Sequence, residues 1–294
     1  MTELFRTWAS AVLRSVRLLV CAGALLSTLS PVSAGAASDD SPNAKSSGQV
    51  LLPSSDLTGS VSLAPAAAPQ GHWTVASYGR VTAHLYQFDT GMQIDAAQAT
   101  SVAADWSKSL DDVLVALSTP DVLPGLRVDG YLYPDAPSFM LSTGDTRAIE
   151  GLAIPWTRQF YVIDRADAVV TVKHELTHIV SYSLFGSAGA ASLDEGLAVA
   201  LAGWSTANLD EQVSVFRKEG ELMPLSSVVP RFASMPGAVA YPEMGSFVRF
   251  LIRQRGMATL AKLYSSSDPV SEMPRLYGVS LPREEQAWLQ TLPA

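Results

Sequence analysis

The chemistry in this chain is concentrated in one pentapeptide, His174-Glu175-Leu176-Thr177-His178. Residues four apart on an α-helix stand one above the other, so the two imidazoles can share one Zn²⁺. Glu175 lies one position round the helix. From there it can reach a water on the metal as a general base without becoming a ligand, which is the logic of the H-E-x-x-H motif. The chain has only four histidines, at 72, 84, 174 and 178. A chance occurrence of the motif in such a composition is roughly one in 500, the ordinary false-positive risk of a short motif.

A catalytic zinc site needs a third protein ligand beside the open position. The metzincin pattern requires Gly at 181 and His at 184. The chain has Ser181 and Leu184, which excludes it. Seventeen residues after His178 comes Glu195, in Ser192-Leu193-Asp194-Glu195-Gly196-Leu197-Ala198. A Gly-rich turn over 186–190 lets a helix begun here fold back on the motif helix, with Glu195 in its first turn facing the metal. An acid at that place also suits the positive end of a helix dipole. Asp194 is either a partner behind a ligand or a helix cap. His72 and His84 read as strand-surface or capping residues.

These groups need a frame. Residues 72–76 and 81–86 favour β-strands, as do 126–133 and 160–163. Residues 93–118 carry apolar positions at helical spacing, and Pro120 and Pro124 end that run. Asp164 and Asp167 offer N-caps for a helix over 168–184, which Gly186 stops. In it Val172, Leu176, Ile179 and Val180 form the buried stripe. Further helices are predicted over 193–204, 209–219, 240–255, 257–264 and 283–292. Strands first and helices afterwards predict an α+β fold, with an N-terminal sheet lobe and a helical C-terminal lobe.

The combination H-E-L-T-H-I-V followed by L-D-E-G-L-A resembles the gluzincin arrangement, in which a Glu from a W-L-x-E-G-x-A type helix joins H-E-x-x-H. Aminopeptidase-N and leukotriene-hydrolase enzymes share it. The chain is most similar to the peptidase MA-like family. Ala240–Leu251 resembles that family's Y-x-x-x-x-S-F-V-R-Y-L helix. Gly278 to Leu281, with Glu285 and Trp288, resembles its closing G-x-S-L-x-x-x-E-x-x-W segment. The likeness spans about residues 72–292 and is strongest over 173–255. It implies a zincin-like fold, His174, His178 and Glu195 as ligands of Zn²⁺, Glu175 as general base, and Tyr241 as a hydroxyl near the transition state. The bare alternative for Tyr241 is a buried Tyr at a helix start. The resemblance also implies that an edge strand near Glu150–Ile154 pairs with substrate backbone, with Trp156 close by. The Gly-Ala-Met-Glu-Asn signature of aminopeptidases is missing, which favours an endopeptidase.

The 294-residue composition sets the outer bounds. An apolar fraction of 48% is too high for a disordered chain, and one Cys excludes a disulfide scaffold. A net charge of −8 opposes nucleic acid as a partner and leaves a peptide or protein substrate. Mean hydropathy is +0.18, high for a soluble protein. Part of that comes from the N-terminus. Arg6, Arg14 and Arg17 precede the apolar run Leu18–Leu29 and small residues at Val32-Ser33-Ala34 and Ala34-Gly35-Ala36, the layout of a secretory signal peptide. The run is about 12 residues, short of the roughly 20 that span a bilayer. Residues 1–36 are therefore expected to be a signal peptide that takes Cys21 with it. Residues 37–70 are a Ser/Pro/Ala-rich linker, and 71–294 the catalytic domain. Cleavage after Ala34 removes three Arg and Glu3, leaving a net charge of −10. The expectation is a secreted or cell-envelope zinc metallopeptidase with no stable membrane insertion. Competing readings are a zinc-binding but inactive module for protein–protein interaction, a chance motif in an envelope protein, and a tether through an uncleaved N-terminal anchor.

Overall fold

The computed structural model describes residues 72–87, 94–117, 122–145, 149–203 and 209–294. The expected signal peptide and linker, with Cys21, Pro120 and Trp204, lie outside the described residues. Five strands form one mixed sheet: β1 (His72–Tyr78), β2 (Val81–Gln87), β3 (Val128–Tyr133), β4 (Gly151–Ile154) and β5 (Gln159–Ile163). Their order is β1-β2-β3-β5-β4. The central β2, β3 and β5 run parallel; β1 and β4 are antiparallel to their neighbours, and β4 is an edge.

Alternation along the strands gives the sheet two unlike faces. One face presents Val81, Ala83, Leu85, Val128, Phe160 and Val162 to the main core. Two helices cover it: α1 (Ala96–Ala116), whose Trp106 ring meets Phe160 edge-on at 5.0 Å, and α3 (Ala168–Phe185). The opposite face is aromatic. His84, Tyr131 and Tyr161 are register partners and stack across the strands, with ring centroids 4.5 and 4.9 Å apart. Trp73, Tyr86 and Tyr133 extend the row, and Phe139 of α2 (Ala136–Thr143) covers part of it.

The remainder is helical: α4 (Ala191–Ala202), α5 (Leu209–Glu219), α6 (Leu225–Arg231), α7 (Gly237–Arg255), α8 (Met257–Tyr264), α9 (Pro269–Tyr277) and α10 (Leu281–Thr291). The α+β reading therefore holds, but the two lobes are not separate bodies. Sheet residues and helical residues out to Leu292 belong to one continuous apolar core. Three helices were not expected: α2, α6 and α9. Each starts at or beside a proline, and α6 and α9 carry another inside. Proline fits a first turn, yet its density hides the helical period. Asp135 and Asp268 cap α2 and α9 through their side chains, whereas Asp167, expected to cap α3, makes no such bond. α1 is a few residues shorter than the predicted 93–118. α7 starts three residues earlier than the predicted 240–255.

α4 and α7 cross at very close range. A Cβ on Gly196 would sit 2.8 Å from Val248 Cγ2, and one on Gly245 only 2.3 Å from Val199 Cγ1. Glycine costs a helix about 1 kcal/mol relative to Ala; here the contact of two backbones offsets it. A buried polar chain joins α7 to its neighbours. Trp288 Nε1 of α10 donates to Ser246 Oγ at 3.0 Å, and Ser246 donates to Asp210 Oδ1 of α5 at 2.5 Å. Asp210 pairs with Arg249 at 2.7 Å. Thus the 240–251 and 278–288 segments meet in space. Ser246→Ala would leave the buried indole N–H without its acceptor. The expected loss is about 1–3 kcal/mol of stability, read by chemical denaturation, with the site residues undisturbed.

Candidate metal centre

α3 carries His174, Glu175 and His178. Its apolar stripe of Val172, Leu176, Ile179 and Val180 is fully buried, as the spacing predicts. That stripe fixes the rotation of the helix and leaves the histidines facing α4. The Gly186–Ala190 turn reverses the chain. The backbone N–H of Gly189 donates to Tyr264 O at 2.7 Å, and Ser265 Oγ donates to Phe185 O at 3.0 Å, so the end of α8 clamps the turn. α4 begins at Ala191, two residues earlier than expected. Asp194 therefore lies in its first turn and Glu195 just beyond.

The three expected ligands converge. His174 Nε2 is 3.0 Å from Glu195 Oε2 and 3.2 Å from His178 Nε2; His178 Nε2 is 3.6 Å from Glu195 Oε2. A tetrahedral ion with bonds of 2.0–2.1 Å would hold its ligand atoms about 3.3 Å apart. The triangle matches that edge length, and two imidazoles with a carboxylate are a suitable donor set. The cluster is electrostatically demanding. Burial alone would raise the Glu195 acid, but the hydrogen bonds and charges of both imidazoles hold it well below the usual carboxylate range. Burial alone would lower His178, yet Asp194 and Glu195 push it well up. A cation, proton or metal, is thus favoured between these groups.

Asp194 lies behind His178. Its Oδ1 lies 3.1 Å from His178 Nδ1, an ion-pair contact off the line of a good hydrogen bond. The same oxygen accepts the Tyr264 hydroxyl at 2.6 Å, and that hydroxyl is 3.1 Å from Ser181 Oγ. Such outer contacts orient an imidazole and fix its tautomer. Tyr264 escaped the sequence reading because no local pattern links it to a residue 70 positions away.

Glu175 is buried, and burial raises its acid above the ordinary range against the pull of His174 and His178. That shift suits a proton acceptor near neutrality. Its carboxylate lies against β4, where a Cβ on Gly151 would fall 2.5 Å from Glu175 Oε1 and 2.6 Å from Thr171 Cγ2. Tyr241, on α7, brings its ring to 6.5 Å from that of His174 and 5.0 Å from Phe232. His84 stands apart from the cluster, in the aromatic row, 3.0 Å from Asp129. Trp156 is 67% exposed in the β4–β5 turn, while Trp106 and Trp288 are core residues. Comparison with family models and with curated proteins found no match.

Gly151→Ala should displace the Glu175 carboxylate and cost about 1–3 kcal/mol through overpacking. Thermal denaturation of the variant checks the cost, and a crystal structure checks the side chain. An unmoved Glu175 would show that β4 does not seat it.

Proposed function

We propose that the chain is a zinc-dependent metallopeptidase of the gluzincin type, with a zincin-like fold and a likeness to the peptidase MA-like family. The observation that carries this reading is the triangle of His174, His178 and Glu195, whose edges fit one tetrahedral ion. Bound there, Zn²⁺ would supply Lewis-acid polarisation of the scissile carbonyl and a water acidified to a pKa of about 7. The protein's own groups do the rest. Glu175, buried and raised, takes the proton of the attacking water and returns it to the leaving amine. Tyr241, beside His174, donates to the developing oxyanion. Asp194 and Tyr264 hold the His178 ring.

The substrate is a peptide or protein. β4 is the last strand in the sheet order and its Gly151 touches the base, so a substrate laid along that edge by β-augmentation passes the reacting groups. An open edge accepts chain on both sides of a scissile bond, which favours an endopeptidase. No described helix is long and apolar enough to cross a membrane. With the N-terminal signal features, the proposed location is secreted or in the cell envelope.

Glu175→Gln is expected to retain zinc at one equivalent, measured by metal analysis, while cleavage of an unfolded protein falls by about 10²–10⁴-fold. In the wild type a chelator should abolish cleavage and added zinc restore it. Full activity of the Gln variant would sink the base assignment; zinc without any wild-type turnover would leave an inactive interaction module.

Tyr241→Phe tests the hydroxyl separately. A drop of about 10²-fold in kcat, with KM and zinc content unchanged, is the outcome expected of a lost oxyanion donor. An unaltered kcat would leave Tyr241 a packing residue against Phe232.

A further inference from the structure

Past Ile154 the edge strand β4 enters a four-residue turn, Pro155-Trp156-Thr157-Arg158, and returns as β5 at Gln159. The turn is braced from several sides. Ile154 O accepts the Thr157 N–H and Pro155 O accepts the Arg158 N–H, each at 3.1 Å. Thr157 Oγ1 lies 3.1 Å from Ile154 O and 3.0 Å from Gln159 Oε1. Arg158 O accepts the Asp129 N–H at 3.1 Å, which ties the turn to β3. Arg158 has φ +60°, the one positive φ outside glycine among the described residues. A side chain in that region is strained, and it persists only where its surroundings hold it. This braced turn keeps Trp156 67% exposed, whereas Trp106 and Trp288 are buried in the core. A lone apolar side chain on a surface is ordinary. This one continues the strand whose first residue, Gly151, lies against Glu175.

We propose that Trp156 is a specificity-determining residue that selects an aromatic side chain on the amino side of the scissile bond. The inference rests on the peptidase reading above and adds a substrate class to it. Trp156 follows Gly151 by five residues. At about 3.4 Å per residue, that is no more than about 17 Å of extended chain. A peptide paired with β4 therefore brings to Trp156 a residue about three to five positions from the bond beside Glu175. Antiparallel pairing is the more stable arrangement. Since β4 runs from Gly151 towards Trp156, it places that residue before the scissile bond. An indole takes another ring in offset-stacked or edge-to-face contact. A cation is the other common guest of an indole. Here Arg158 stands two residues on, and the turn holds no acid to offset its charge, so a cationic side chain is disfavoured.

The test is cleavage of a mixture of synthetic randomised tetradecapeptides by the zinc-loaded full chain, with the cleaved bonds read by mass spectrometry. The wild type is expected to enrich Phe, Tyr and Trp about 3–10-fold at a position three to five residues before the cleaved bond. Trp156→Ala should lose that enrichment while retaining one equivalent of zinc, and Trp156→Phe should keep it. Wild-type cleavage without the enrichment, equal enrichment in the Ala variant, or enrichment of Lys and Arg instead overturns the proposal and leaves the peptidase reading standing. So does an aromatic preference confined to the carboxyl side. A zinc-loaded wild type that cleaves no peptide overturns the peptidase reading, and this inference with it.

Discussion

Two imidazoles and a carboxylate crowded about 3 Å apart and partly buried beside a hydrophobic core require charge compensation. That requirement governs the structure around them. The donors come from two helices, so α3 and α4 must be fixed in rotation and in separation. The apolar stripe of α3 sets its rotation. The separation of α4 from its other neighbour, α7, is set by Gly196 and Gly245, where no other side chain leaves room for the crossing. Tyr264 then closes the back of the cluster, bonding through its hydroxyl to Asp194 and through its carbonyl to the Gly189 turn. The Glu195-Gly196 dipeptide thus joins two duties in adjacent residues: one points at the histidines, the next lets the supporting helix approach.

The same logic explains the sheet. A parallel centre covered on one face by α1 and α3 gives the motif helix a flat apolar floor. Its other face stays aromatic, with His84, Tyr131 and Tyr161 stacked in register. β4 is turned antiparallel at the edge nearest Glu175, and there a glycine is needed because the carboxylate fills the space of a side chain. Glu175 is seated between a helix and a strand edge, in the dry surroundings that raise its affinity for a proton.

Much of this was legible in the sequence, and the reasons are particular. The spacing of 174, 178 and 195 carried the cluster because helical periodicity turns spacing into direction. The α3 stripe was equally plain. Glu195 was expected two residues nearer the helix start than it stands, since Ala190 precedes α4 without a side-chain bond to mark the boundary. The short helices α2, α6 and α9 were hidden by prolines that serve as first-turn residues. The Tyr264 contacts could not be read at all, because they join residues far apart in the chain. The 240–251 and 278–288 segments, far apart in the chain, are joined by the Ser246–Trp288 bond.

The reach of the Tyr264 contacts has a consequence for biosynthesis. A chain made from its N-terminus presents His174 and His178 well before residue 264 has emerged. Until then the Gly189 turn lacks its clamp, and Asp194, behind the His178 ring, lacks its hydroxyl partner. The surroundings of the His174, His178 and Glu195 cluster are therefore completed only when residue 264 of 294 has been made.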